Sequence, residues 1–196
     1  MAYNVFISFR YNDGVSYKNT LSDLFSKNND TVDYSEDMDR SYLTESSIQR
    51  YLYGKLRRTS VTIILLTPNA INHHKDYLGH YDDWMYDEIR YSLEDRDYNR
   101  TNGLVAVYTP EAADKLLKRG QESNTIFNVD NLFRKNMMNV KERYKTNPKP
   151  QIYDSNYDSY CSLVDFSSFI SNPGKYIDIA VKKRDELYKY NLVKRL

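Results

Sequence analysis

SVTIILLT, residues 60–67, is a largely apolar run rich in β-branched side chains. A run of that length and type reads as a strand covered on both faces, the kind found in the middle of a parallel sheet. Four other segments fit strands beside it: NVFISF (4–9), TVDY (31–34), GLVAVYT (103–109) and SYCSLVDF (159–166). Helical patterns fall between them. Leu21, Leu24 and Phe25 recur at helical spacing from Tyr17 to about Lys27, after the polar stretch RYNDGVS (10–16), which reads as a loop. Ser46 with Gln49 fits a capping box ahead of Ile48, Tyr51, Leu52 and Leu56, one face of a helix reaching about Arg58. A further helix is expected in DDWMYDEIRYSL (82–93), and the last from near Pro173 to about Leu192. Strands alternating with helices imply right-handed crossovers. The expected fold is therefore α/β: a doubly wound, flavodoxin-like, five-stranded parallel sheet in the order 2-1-3-4-5. Residues 1–196 are expected to form a single domain. About 111–158, between the fourth and fifth strands, is too long for an ordinary connection and reads as an insertion. Its basic part, FRKNMMNVKERYKTNPKP, suits either an anionic ligand or plain solvation.

Composition narrows the function. Lysines and arginines number 28 against 27 acids, a net charge of +1, so no global field gathers nucleic acid or holds the chain on an anionic membrane. One cysteine, Cys161, rules out an internal disulfide framework and fits a reducing cytoplasm; its apolar neighbours mark it as a small core residue. MAYNVFISFR lacks the basic and long apolar parts of a signal peptide, and VTIILL is too short to span a bilayer. The expectation is a soluble, cytoplasmic protein with neither a nucleic-acid nor a membrane partner.

In a doubly wound sheet, ligands bind at the carboxyl ends of the strands, where the order reverses between strands 1 and 3. Those ends here are SFRYND and the segment from Thr67 to Glu88. No P-loop, G-x-G-x-x-G or G-x-S-x-G occurs in the chain. His73, His74 and His80 lack the spacing and companions of a zinc set, so no metal is expected. What remains is an arginine, some aromatics and one glutamate. Trp84 and Glu88 stand four apart and share a helix face with Ile89 and Leu93. An acid on a half-buried face needs a partner or a chemical task, although most glutamates on helices are merely solvated.

With these segments in place the chain resembles the TIR domains. NVFISFR is similar to their strand-1 signature, SVTIILLTPNA to their third strand and following loop, and DDWMYDEI to their catalytic W-x-x-x-E helix. The likeness covers about residues 3–109. The length and the long fourth connection resemble the bacterial Thoeris antiphage TIR-like proteins, the ThsB type. The resemblance implies an NAD-cleaving enzyme with Glu88 as the catalytic carboxylate and Ser8, Phe9, Arg10, Tyr11 and Trp84 binding NAD, which is substrate and not a resident cofactor. Tyr11 stands where some TIR domains carry a second basic residue. The resemblance also implies self-association through the loop at about residues 35–43 and a cyclic ADP-ribose signal. That signal would activate a separate effector protein without direct contact. Two rivals remain open: a non-catalytic TIR adaptor, and a nucleoside deoxyribosyltransferase-like enzyme, which also sets a glutamate against ribose.

Overall fold

A computed structural model describes residues 3–27, 31–33, 45–71, 84–95, 100–118, 125–126 and 131–195. In chain order the elements are β1 (Tyr3–Ser8), α1 (Tyr11–Lys27), β2 (Thr31–Asp33), α2 (Glu45–Leu56), β3 (Val61–Leu66), α3 (Pro68–Ile71), α4 (Trp84–Leu93) and β4 (Gly103–Tyr108). They continue with α5 (Pro110–Leu116), β5 (Leu117–Lys118), β6 (Thr125–Ile126), α6 (Asn131–Lys135), β7 (Cys161–Asp165), α7 (Phe166–Ser171) and α8 (Pro173–Asp185). Five strands form one sheet in the order β2-β1-β3-β4-β7, every pair parallel, which is the expected doubly wound order with β7 in fifth place. Short β5 and β6 pair antiparallel inside the connection between β4 and β7.

All of Val61–Leu66 is buried, as a strand apolar on both faces requires. Val61, Ile63 and Leu65 face a core closed by Leu21 and Phe25 of α1 and Ile177 of α8. Ile64 and Leu66 face the other way, onto Ile89 and Leu93 of α4 and Phe133 of α6. The insertion thus forms the outer wall behind α4. Its own loop is shaped by Asp158, fully buried, which accepts from Thr146 N, Thr146 Oγ1 and Asp154 N, each at 2.8 Å. Two of its basic residues are used internally: Lys141 Nζ donates to the Tyr188 carbonyl at 2.7 Å, and Lys145 Nζ to the carbonyls of Lys149 and Pro150.

Two boundaries differ from the sequence reading. The stretch expected as a loop before Tyr17 is helical from Tyr11. Its polar residues are held by contacts distant in sequence: Asp13 accepts from Thr67 Oγ1 at 2.7 Å and from Asn69 N at 2.9 Å. Glycine suits position 14, where a Cβ would lie 3.1 Å from the Phe9 ring. At the other end α8 stops at Asp185, not near Leu192. Beyond it Tyr190 is buried, bridges antiparallel to Val140 and sets its ring edge-on to Tyr160, so the tail leaves the helix to pair with the insertion. The side chains of the Ser46–Gln49 capping box lie outside the described residues, as does the chain at 35–43.

Lys183 on α8 is 2% exposed, and its Nζ donates to Ser162 Oγ of β7. Burial pushes its pKa down from 10.5 to about 7. Below pH 7 the folded and unfolded chains both hold the proton; from about 7 to 10.5 only the unfolded chain holds it, so stability rises with pH there. Against Lys183→Met, wild type should therefore gain stability across that window, at up to about 1.4 kcal/mol per pH unit. Urea unfolding of both proteins at a series of pH values checks this, and parallel stability curves would refute it. Among the described residues no helix is long and apolar enough to cross a membrane.

Candidate active site

Glu88 stands in the middle of α4, on the side that faces the end of β1. It is 9% exposed, and the hydroxyl of Ser8, itself fully buried, donates to its carboxylate. The two residues are 80 positions apart in sequence and meet at the carboxyl end of β1, beside the point where the strand order reverses. Ser8 is the last residue of its strand, and its neighbours Phe6 and Ile7 point to opposite faces of the sheet. Phe6 packs with Tyr91 of α4, one turn from Glu88. That packing brings α4 against β1 and lets Ser8, on the same face as Phe6, reach the carboxylate.

The other expected site residues are distributed around this pair. Phe9 packs into the opposite core, against Gly14, with its ring 6.3 Å from that of Tyr11. Arg10 is partly exposed at the amino end of α1, where its carbonyl accepts from Gly14 N at 2.8 Å. Tyr11 is half exposed, at 49%. Trp84 is the first residue of α4; its side chain, like His73, His74 and His80, lies outside the described residues. The structure therefore joins Ser8 to Glu88, sets Arg10 and Tyr11 at the start of α1, and turns Phe9 to the far side.

Other carboxylates on this edge of the sheet hold the fold together. Asp13 ties α1 to the start of α3. Glu111 accepts the Tyr17 hydroxyl on both oxygens, at 2.7 and 2.6 Å. That bond holds its pKa below the usual carboxylate range, while burial and the same bond push Tyr17 up to about 12. Asp165 caps α7 through Ser168 N at 2.8 Å; burial works against its charge, but the bonds from Ser167 and Ser168 keep its pKa low. Cys161, fully buried, has its thiol pKa raised by burial and is a core residue, not a nucleophile.

The sequence reading missed Asp13, hidden in a segment that looked like a turn, and Ser92, one turn beyond Glu88. The four-residue spacing of Trp84, Glu88 and Ser92 was the available signal for the latter. An acid aimed by a hydroxyl at the end of β1, with an arginine two residues further along the chain, can stabilise a cation while the arginine binds an anion.

A comparison with curated proteins gives no match. A family model does match: residues 6–114 fit that of the Thoeris protein ThsB, TIR-like domain. The matched stretch runs from β1 into α5 and holds the Ser8–Glu88 pair and Arg10. It covers more than half of the 196 residues, and the chain belongs to this family of Thoeris TIR-like domains.

Proposed function

We propose that this Thoeris TIR-like domain cleaves the bond between nicotinamide and ribose in NAD and releases a cyclic ADP-ribose-type signal for a separate effector during phage defence. The observation that carries the reading is the Ser8–Glu88 pair at the switch point of the sheet. Glycosidases use two carboxyl groups because their leaving group must be protonated. Nicotinamide leaves NAD neutral, taking the bonding electrons onto its ring nitrogen, so one carboxylate suffices. Glu88 would face the ribose as positive charge builds on it, a stabilisation of about 3 to 4 kcal/mol for comparable preorganised groups. Arg10 and the amino end of α1 would take the diphosphate. Tyr11 and Trp84 would border the substrate, and Phe9 would brace the turn between β1 and α1. If water is kept out, another nucleophilic atom of the same molecule captures the ribosyl cation, loses its proton where it carries one, and closes a ring.

The reaction takes place in the cytoplasm, with NAD as substrate, no resident cofactor, and no nucleic-acid or membrane partner. Mass spectrometry of nucleotides from cells holding this chain, with and without phage, tests it: a cyclic ADP-ribose isomer appearing with infection is the expected result. Intact NAD under both conditions would favour an adaptor that works by assembly alone. Base exchange on deoxynucleosides without NAD loss would favour the deoxyribosyltransferase-like reading.

One carboxylate does not by itself exclude water, so the same reading extends to control by assembly. We assign the closing part to the loop at about residues 35–43 of a neighbouring copy. Purified protein at micromolar concentration should then consume little NAD, and crowding should raise turnover per protomer. A dilution series checks this: high, constant specific activity down to nanomolar protein would show a complete monomeric site.

A further inference from the structure

Behind Glu88 a file of buried polar groups crosses from the residue before β4 to α4. The side-chain amide of Asn102 donates to Thr62 Oγ1 at 3.3 Å, Thr62 Oγ1 and Ser92 Oγ are 2.7 Å apart, and Ser92 Oγ donates to the Glu88 carbonyl at 2.7 Å. Asn102, Thr62 and Ser92 are all fully buried. The sense of the file is fixed by its neighbour. Thr59 commits its hydroxyl proton to the Leu56 carbonyl at 2.9 Å, so the Asn102 group facing Thr59 Oγ1 at 2.9 Å must be the donating NH2. Thr62 therefore accepts from Asn102 and donates to Ser92, and Ser92 passes the sense on to Glu88. Each of these two hydroxyls accepts once and donates once.

Asn102 also fixes the end of the helix. Its backbone N–H donates to the Ser92 carbonyl at 2.7 Å, and its own carbonyl takes the Tyr160 hydroxyl at 2.7 Å. Apolar side chains would fill such places without desolvating any polar group, and β3 is otherwise built that way. Apolar contact is non-directional and lets a helix shift along its axis; hydrogen bonds tolerate only a few tenths of an ångström.

We propose that Asn102, Thr62 and Ser92 are positioning residues that lock α4 lengthwise on the sheet, so that the Glu88 carboxylate meets the Ser8 hydroxyl at the end of β1. The catalytic consequence rests on the reading of Glu88 as the NAD-cleaving group; the anchoring of α4 does not. Thr62→Val keeps the shape and the strand preference of the residue and removes the hydroxyl, whereas Thr62→Ser keeps the hydroxyl.

Two measurements on assembled full-length protein test the proposal. Amide hydrogen exchange in 84–95 should rise in Thr62→Val relative to 103–108, and stay near wild type in Thr62→Ser. With NAD, Thr62→Val should lose about tenfold in kcat with KM within about twofold, and Thr62→Ser should recover kcat to within about twofold. If Thr62→Val fails to fold, Ser92→Ala takes its place, since alanine suits a helix interior. Unchanged exchange in α4 overturns the anchoring, and unchanged kcat beside raised exchange overturns the positioning of Glu88. Equal losses in the Val and Ser variants would assign the effect to packing and overturn the role of the Thr62 hydroxyl. If wild type leaves NAD intact, the proposed reaction falls and the exchange measurement still decides the anchoring.

Discussion

Glu88→Gln should abolish NAD-derived product, by roughly a hundredfold or more in kcat, while the protein stays folded. The substitution is chosen for what it keeps. Glutamine has nearly the volume of glutamate, and its amide oxygen can still accept from Ser8, so the buried contact between α4 and β1 survives. It removes only the negative charge. In the proposed reaction that charge stabilises the ribosyl cation; in the fold its removal weakens one charge-assisted hydrogen bond but also removes the cost of burying a carboxylate, so the loss should fall on kcat and leave KM and the unfolding temperature nearly unchanged. Steady-state kinetics with a thermal melt on the same preparation separates the cases. Wild-type turnover in the variant would return Glu88 to the status of a helix-face residue and leave assembly as the function. A collapse of the melt would make the carboxylate a structural anchor and take the catalytic inference with it.

How much of this was visible in the residues depends on the range of the interactions. β3 and β4 read directly because both faces are largely apolar and the signal lies within a few neighbouring residues. The first turns of α1 did not, because Asp13 and Gly14 are explained by Thr67 and Phe9 and not by any periodicity of their own. Glu88 could be marked as a candidate from the Trp84 spacing and the switch-point rule. Its partner could not, since nothing local tells that Ser8 will meet it. Lys183 sits in VKKRDE, which looks like a solvated helix face, and only the packing of α8 on β4 and β7 buries it. The insertion was legible as an excess of length. Its place behind α4, and the tail that pairs with it through Val140 and Tyr190, depend on contacts between segments that carry no joint signature in the sequence.

Gly103→Ala should destabilise the protein more than any other single methyl addition at a described glycine. A Cβ on Gly103 would stand 2.4 Å from the carbonyl oxygen of Ala180, 2.6 Å from its carbonyl carbon and 3.0 Å from its Cβ. The same test at Gly54 and Gly174 finds open space, and at Gly14 the nearest atom, at 3.1 Å, belongs to a side chain. At Gly103 the obstacle is helix backbone. Relief requires α8 to move off the sheet, and α8 carries Ile177, Ala180 and the buried Lys183, all seated against it. Overpacking of a core ordinarily costs about 1 to 3 kcal/mol. With no side chain able to rotate away, the upper end of that range applies, which for a chain of this size lowers the melting temperature by about 10 °C. A clash with the helix backbone can be separated from one with the Ala180 methyl. Ala180→Gly removes the 3.0 Å contact but leaves both closer backbone atoms in place, so the Gly103→Ala, Ala180→Gly pair should melt no higher than Gly103→Ala alone. Thermal melts of the single and double variants decide it: recovery in the pair would place the clash on the Ala180 methyl, and a single variant melting within about 2 °C of wild type would mean that β4 and α8 are not held at this distance.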